Sequence, residues 1–109
     1  MKDNKDLAKL DKQIDSVKMK LMELGPMRPG KLSQQYRKPA EKAVPFWQLN
    51  YTYQMKSRSE YVRTESLPRI RKETAAFKKC KDLFEKWIDL ELQRSLILTE
   101  AEKSAKISN

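Results

Sequence analysis

Apolar positions recur along this chain at two periods. Leu7, Leu10, Ile14, Val17, Leu21 and Leu24 step by three and four residues, the spacing of a heptad seam on one side of a helix. Asp3 and Asp6 fall near the positive end of that helix's dipole, where acids are favoured. Gly25-Pro26 then stops it, because glycine accepts a left-handed cap and proline cannot continue the hydrogen-bond ladder. A helix over 1–24 with so narrow a seam needs a partner helix.

The pattern changes after Gly30. In "KLSQQYRK", Leu32, Gln34 and Tyr36 alternate with Ser33, Gln35 and Arg37. In "PFWQLNYTYQM", Trp47, Leu49, Tyr51, Tyr53 and Met55 alternate with Gln48, Asn50, Thr52 and Gln54, with Phe46 at the end of the polar face. A period of two with aromatic content predicts half-buried antiparallel strands, and Pro45 sits where its missing N–H does least harm. A turn near Gln54-Met55-Lys56-Ser57 returns the chain as "SRSEYVR", anchored by Val62 or Tyr61. The expected result is a three-stranded antiparallel sheet.

Helical spacing resumes at Ser66, a plausible N-cap ahead of Leu67-Pro68, where proline is tolerated in the first turn. Ile70, Phe77, Cys80, Leu83, Phe84, Trp87, Ile88 and Leu90 to Leu98 form a stripe wider than that of the first helix. No Gly or Pro interrupts residues 69–109, which predicts a helix from about 66 to about 100 with a fraying tail "TEAEKSAKISN". The expected fold is α+β and single-domain: a heptad helix over 1–24, a basic loop and sheet over 25–65, and a long helix over 66–109. The two helices are expected to pack antiparallel, with one sheet face on the longer one.

Charge adds a second layer to this plan. The net charge of +9 divides as +1 over residues 1–24, +10 over 25–81 and −2 over 82–109. A basic surplus on the strand region favours a polyanionic partner through counterion release, without encoding base preference. Gln, Asn, Thr and Arg are the side chains that read base edges, and a β-ribbon fits the DNA major groove. The expected reading face is Gln48, Asn50, Thr52, Gln54 and Arg58, joined by Gln35, Arg37 and Lys38 and by Lys56. Arg63, Arg69, Arg71 and Lys72 would grip phosphates near the start of the long helix, whose amides offer a further anion contact. The same strand amides are also what any half-exposed antiparallel sheet presents.

Other function classes lose ground on composition. The chain has no histidine, the commonest general base near neutral pH. It has two glycines and no phosphate-cradling motif, and no cofactor or metal is expected. Cys80, its one cysteine, falls on the apolar stripe, a core position rather than a nucleophile's; it excludes an internal disulfide and fits a reducing, cytoplasmic setting. No run is long enough to span a bilayer, and the charged N-terminus lacks a signal-peptide core. The reading is a non-enzymatic nucleic-acid-binding accessory, with DNA favoured over RNA. The alternative is an adaptor that dimerises or recruits a protein partner through its heptad helix.

"LGPMRPGKLSQQYRK", "PFWQLNYTYQMKSRSEYVR" and "LPRIRKETAAFKKCKDLFEKWIDLELQRSLI" together resemble an uncharacterised family of small, mostly bacterial proteins. Pro29-Gly30, Leu32-Ser33 and Gln35-Tyr36 match its first motif, Pro45, Phe46, Trp47 and Leu49 its second, and Tyr61-Val62 its strand end. The family's cysteine loop is replaced here by Arg37-Lys38-Pro39-Ala40-Glu41, and its His-Gly by Ala43-Val44. If relatives bind a metal there, this chain lacks the thiolate and imidazole donors. The resemblance also implies an association with mobile-element or phage genes.

Overall fold

The computed structural model of the chain describes residues 2–36 and 45–107. Its five main elements, in order, are helix α1 (Lys2–Met22), strands β1 (Lys31–Tyr36), β2 (Pro45–Tyr53) and β3 (Lys56–Val62), and helix α2 (Leu67–Ile107). The strands form one antiparallel sheet in the order β1-β2-β3. This is the expected α+β plan. No described helix is long and apolar enough to cross a membrane.

The elements divide into two compact units, Met1–Leu24 with Cys80–Asn109, and Gly25–Lys79. In the first unit the heptad seam of α1 finds its partner within the chain. Leu10, Ile14 and Val17 are buried with Leu90 of α2, and Leu21, Leu83, Trp87 and Ile97 pack around them. Leu7 and Leu24, at the ends of the seam, are half-buried. Asp11 accepts a hydrogen bond from Arg94 Nε at 2.8 Å, and Lys18 Nζ lies 5.3 Å from the Trp87 ring centroid. As the chain advances along α1, its partners recede along α2, so the two run antiparallel. The seam that could have served a second copy is used internally.

The second unit is a sheet laid on the first turns of α2. Leu49 and Val62 are buried against Leu67 and Ile70, and Leu32, Trp47 and Tyr51 complete the cluster. Ser66, the expected cap, ends a single 3-10 turn (Thr64–Ser66), and α2 begins at the next residue. The segment before β1 closes over the same core. Gly30, at φ +142°, approaches Leu49 so closely that an added Cβ would lie 2.6 Å from Leu49 Cδ1. The Arg28 backbone N–H donates to the Glu73 carbonyl of α2 at 3.1 Å.

The structure departs from expectation at three places. Helix α1 ends at Met22, ahead of Gly25-Pro26, and Gly25 is outside the left-handed region, so the expected glycine cap does not form. Helix α2 continues to Ile107, past the end of the apolar pattern, because no Gly or Pro breaks the backbone ladder. The β2–β3 turn is tighter than expected. Gln54 and Met55 alone form it, at φ 51° and 64°, between the paired residues Tyr53 and Lys56. Two left-handed residues in a two-residue loop match the twist of the flanking strands.

Candidate nucleic-acid interface

The hairpin turn sets which side of the sheet each residue occupies. With Gln54 and Met55 at the tip, Trp47 pairs with Val62, Leu49 with Glu60 and Tyr51 with Arg58, all on the core-facing side. Gln48 pairs with Tyr61, Asn50 with Ser59 and Thr52 with Ser57 on the outer side. β1 adds Lys31 and Ser33 to that outer side, opposite Asn50 and Gln48, and Gln35 opposite Phe46. A one-residue shift of the turn would exchange the two faces.

The outer face therefore holds no carboxylate among the described residues. Its centre is a polar ladder across all three strands. Ser59 Oγ donates to Asn50 Oδ1 at 2.7 Å, and Asn50 Nδ2 donates to Ser33 Oγ at 3.4 Å. Gln35 Nε2 also donates to Ser33 Oγ, at 3.1 Å. At one end the Phe46 and Tyr61 rings meet with centroids 6.1 Å apart, tilted by 38°. Tyr61 is exposed and faces outward, leaving Val62 as the core anchor of β3.

Arg58 departs from the expected reading face. It stands opposite Tyr51, on the same side as Glu60, so it does not share a face with Gln48, Asn50 and Thr52. Lys56 follows the same parity, opposite Tyr53. Both are nonetheless solvent-exposed, for a reason that only the register supplies. β1 begins opposite Asn50, so beyond that point the sheet is a two-stranded ribbon of three residue pairs ending in the turn. Every residue from Thr52 to Arg58 is exposed, and none is acidic. The ribbon thus brings together Thr52, Gln54, Lys56 and Arg58 of the expected site, with Asn50 and Lys31 at its base and Tyr53 along its side.

The base of the ribbon is fixed by Arg28, a loop residue that no sequence motif or period marks. Its guanidinium stacks 5.0 Å from the Tyr51 ring centroid and donates from Nη1 to Glu60 Oε2 at 3.2 Å. Tyr51 Oη donates to the other Glu60 oxygen at 2.9 Å. These two hydrogen bonds, Arg28's first, hold the Glu60 carboxyl below its ordinary value of 4.5. The acid nearest the ribbon is thereby already paired with a cation. The Arg28 Nε is buried without a hydrogen-bond partner.

The cations of α2 are placed elsewhere. Leu67 and Ile70 face the sheet, so Arg69 and Lys72 occupy the helix's solvent side. Arg69 donates from the single nitrogen Nη1 to both Glu73 carboxylate oxygens, at 3.1 and 3.0 Å. The Arg71 guanidinium lies 5.1 Å from the Trp47 ring centroid at the sheet's flank. Arg63 is exposed between β3 and the helix. Arg37 and Lys38 lie outside the described residues. The expected cations therefore do not share one sheet face with the amides: Lys56 and Arg58 have the parity of Trp47 and Tyr51, whereas Gln48, Asn50 and Thr52 face outward.

Among the described residues no group of three or more His, Cys, Asp or Glu could hold a metal ion. No family model, curated protein or solved structure matches this chain.

Proposed function

We propose that this protein is a non-enzymatic nucleic-acid-binding accessory that inserts its β2–β3 ribbon into the major groove of duplex DNA. One observation carries the reading. The unit built from residues 25–79 holds thirteen Lys and Arg against four acids, whereas the other unit is balanced at eleven against eleven. Of those four acids, Glu60 and Glu73 are already paired with Arg28 and Arg69. The ribbon, with Lys56 and Arg58 and no acid, is the exposed polar projection of that cationic unit.

Dimensions and chemistry agree with this use. Three strand pairs extend ~10 Å, against a B-DNA major groove ~12 Å wide and ~8.5 Å deep. Thr52 and Gln54 can reach base edges while Lys56, Arg58 and Lys31 neutralise phosphates. The deep, narrow major groove of A-form RNA would exclude such a ribbon, which favours DNA.

The test is a gel-shift titration with random duplex and single-stranded DNA. The reading expects micromolar duplex affinity at ~50 mM salt that falls by roughly 40-fold at ~200 mM for the three phosphates neutralised by Lys31, Lys56 and Arg58. Replacing Lys56 and Arg58 together by Glu weakens binding by ~100-fold or more, with the circular dichroism spectrum unchanged. The Lys9→Glu, Lys12→Glu pair in the balanced unit has little effect. Affinity that survives reversal of the ribbon charges removes the ribbon as the site, and no retention at the lower salt removes the function.

A further inference from the structure

Two aromatic rings stand on the outer face of the sheet and belong to neither hydrophobic core. Phe46 and Tyr61 touch each other, but the cluster of Leu49, Val62, Leu67 and Ile70 lies on the other side of the strands. Tyr61 is 64% exposed and Phe46 is half-buried. Among the described strand residues they are the only apolar side chains of that face; the rest are amides, hydroxyls and Lys31. The rings also lie at the opposite end of the sheet from the ribbon, ~20 Å along β2 from Thr52.

We infer that this end of the outer face holds unpaired bases of a DNA strand, so that the partner is a duplex with a single-stranded extension. The inference rests on the nucleic-acid reading of the unit built from residues 25–79, but not on the ribbon. Bases inside a duplex are stacked on one another and present no free π-face to a side chain, so an aromatic pair on an open sheet selects unpaired ones. Gln48 stands between the rings and the polar ladder, opposite Tyr61. Its amide has no hydrogen-bond partner among the described residues and is free to meet a base edge, whereas the Asn50 amide is committed to Ser59 and Ser33.

Charge selects a polyanion for the same surface. Glu60 faces the other side and is held by Arg28 and Tyr51, and Glu73 is paired on α2. Glu65, the remaining described acid of the unit, lies in the 3-10 turn off the sheet. Two cations stand at opposite corners. Lys31 is level with Asn50 at the base of the ribbon. Arg63 follows β3 with its backbone still extended, at φ −72° and ψ 150°, and takes the next register position, level with Phe46. Both are exposed, and neither pairs with an acid among the described residues. A strand leaving the ribbon can place phosphates at Lys31 and Arg63 and lay bases on the rings.

The test compares a blunt duplex with the same duplex carrying a short unpaired thymine tail on its 3′ or 5′ end, with 2-aminopurine in the tail to report stacking. One of the two tails should raise affinity by ~10-fold or more, with its fluorescence quenched on binding. Tyr61→Ser should remove the gain and the quenching while blunt-duplex affinity and the circular dichroism spectrum stay unchanged, and Tyr61→Phe should keep both. Tails that add nothing at either end overturn the inference, as does a gain that survives Tyr61→Ser combined with Phe46→Ser. Retention of the tailed duplex through Tyr61 without retention of the blunt one removes the ribbon reading and leaves this site standing; retention of neither removes both.

Discussion

At the scale of single residues, two backbone positions show opposite relations between chemistry and conformation. Gly30 needs its lack of a side chain twice over. Its φ of +142° is one that L-residues rarely adopt, and any Cβ would meet the fully buried Leu49, 2.6 Å from Cδ1 and 3.0 Å from Cγ. Leu49 is held from all sides and cannot yield, so Gly30→Ala should cost ~1–3 kcal/mol in urea unfolding. Met55 is the converse. It sits at φ 64° in the hairpin turn, is 99% exposed, and contributes no packing to offset a left-handed backbone. Met55→Gly should therefore raise stability by about 1 kcal/mol, with the urea midpoint moving up. In the sequence Gly30 marks only the boundary before the strand pattern; its close approach to Leu49 depends on a contact between segments far apart in the chain.

At the scale of elements, the segment before β1 and the strands β2 and β3 are tied by Arg28, Tyr51 and Glu60. The Glu60 carboxylate is stabilised by hydrogen bonds from Arg28 and then Tyr51, which lower its pKa below 4.5. A carboxyl depressed in the folded state contributes stability that is complete above its unfolded value and is lost as pH falls through the folded one. Glu60→Gln should therefore be less stable than the parent near neutral pH, by less than ~1 kcal/mol because the group is largely exposed. The gap should close as pH falls below about 4.5, in paired denaturation curves at several pH values. A gap independent of pH would assign the effect to packing rather than charge. No periodicity announces this tie, because Arg28 lies in a loop and Glu60 on a strand, and only their proximity after folding couples them. The helices behave differently. Three- and four-residue spacing in α1 identified a one-partner seam, and the partner proved to be α2 of the same chain.

At the scale of the whole molecule, the charge of +9 belongs entirely to the unit containing the sheet. The consequence is two contacts with contrasting physics. Binding by the proposed ribbon should weaken with salt through counterion release, whereas stacking on Phe46 and Tyr61 carries no charge of its own. Blunt-duplex affinity reads the first and the increment from an unpaired tail reads the second, so each proposal can fail while the other stands. Local repetition in the sequence was enough by itself to determine the alternating strands, the α+β order of elements and the position of the basic surplus. These are properties of neighbours in the chain, where side-chain period and backbone geometry act directly. Only the tertiary structure decided which faces were spent and which were left. A turn at Gln54-Met55 set the parity of Arg58 and Tyr61 by pairing distant residues, and α1 spent its seam on Leu90 of α2 while Tyr61 was left open on the outer face. Register and burial depend on which segments meet, and that is set by the global minimum of packing rather than by any local pattern.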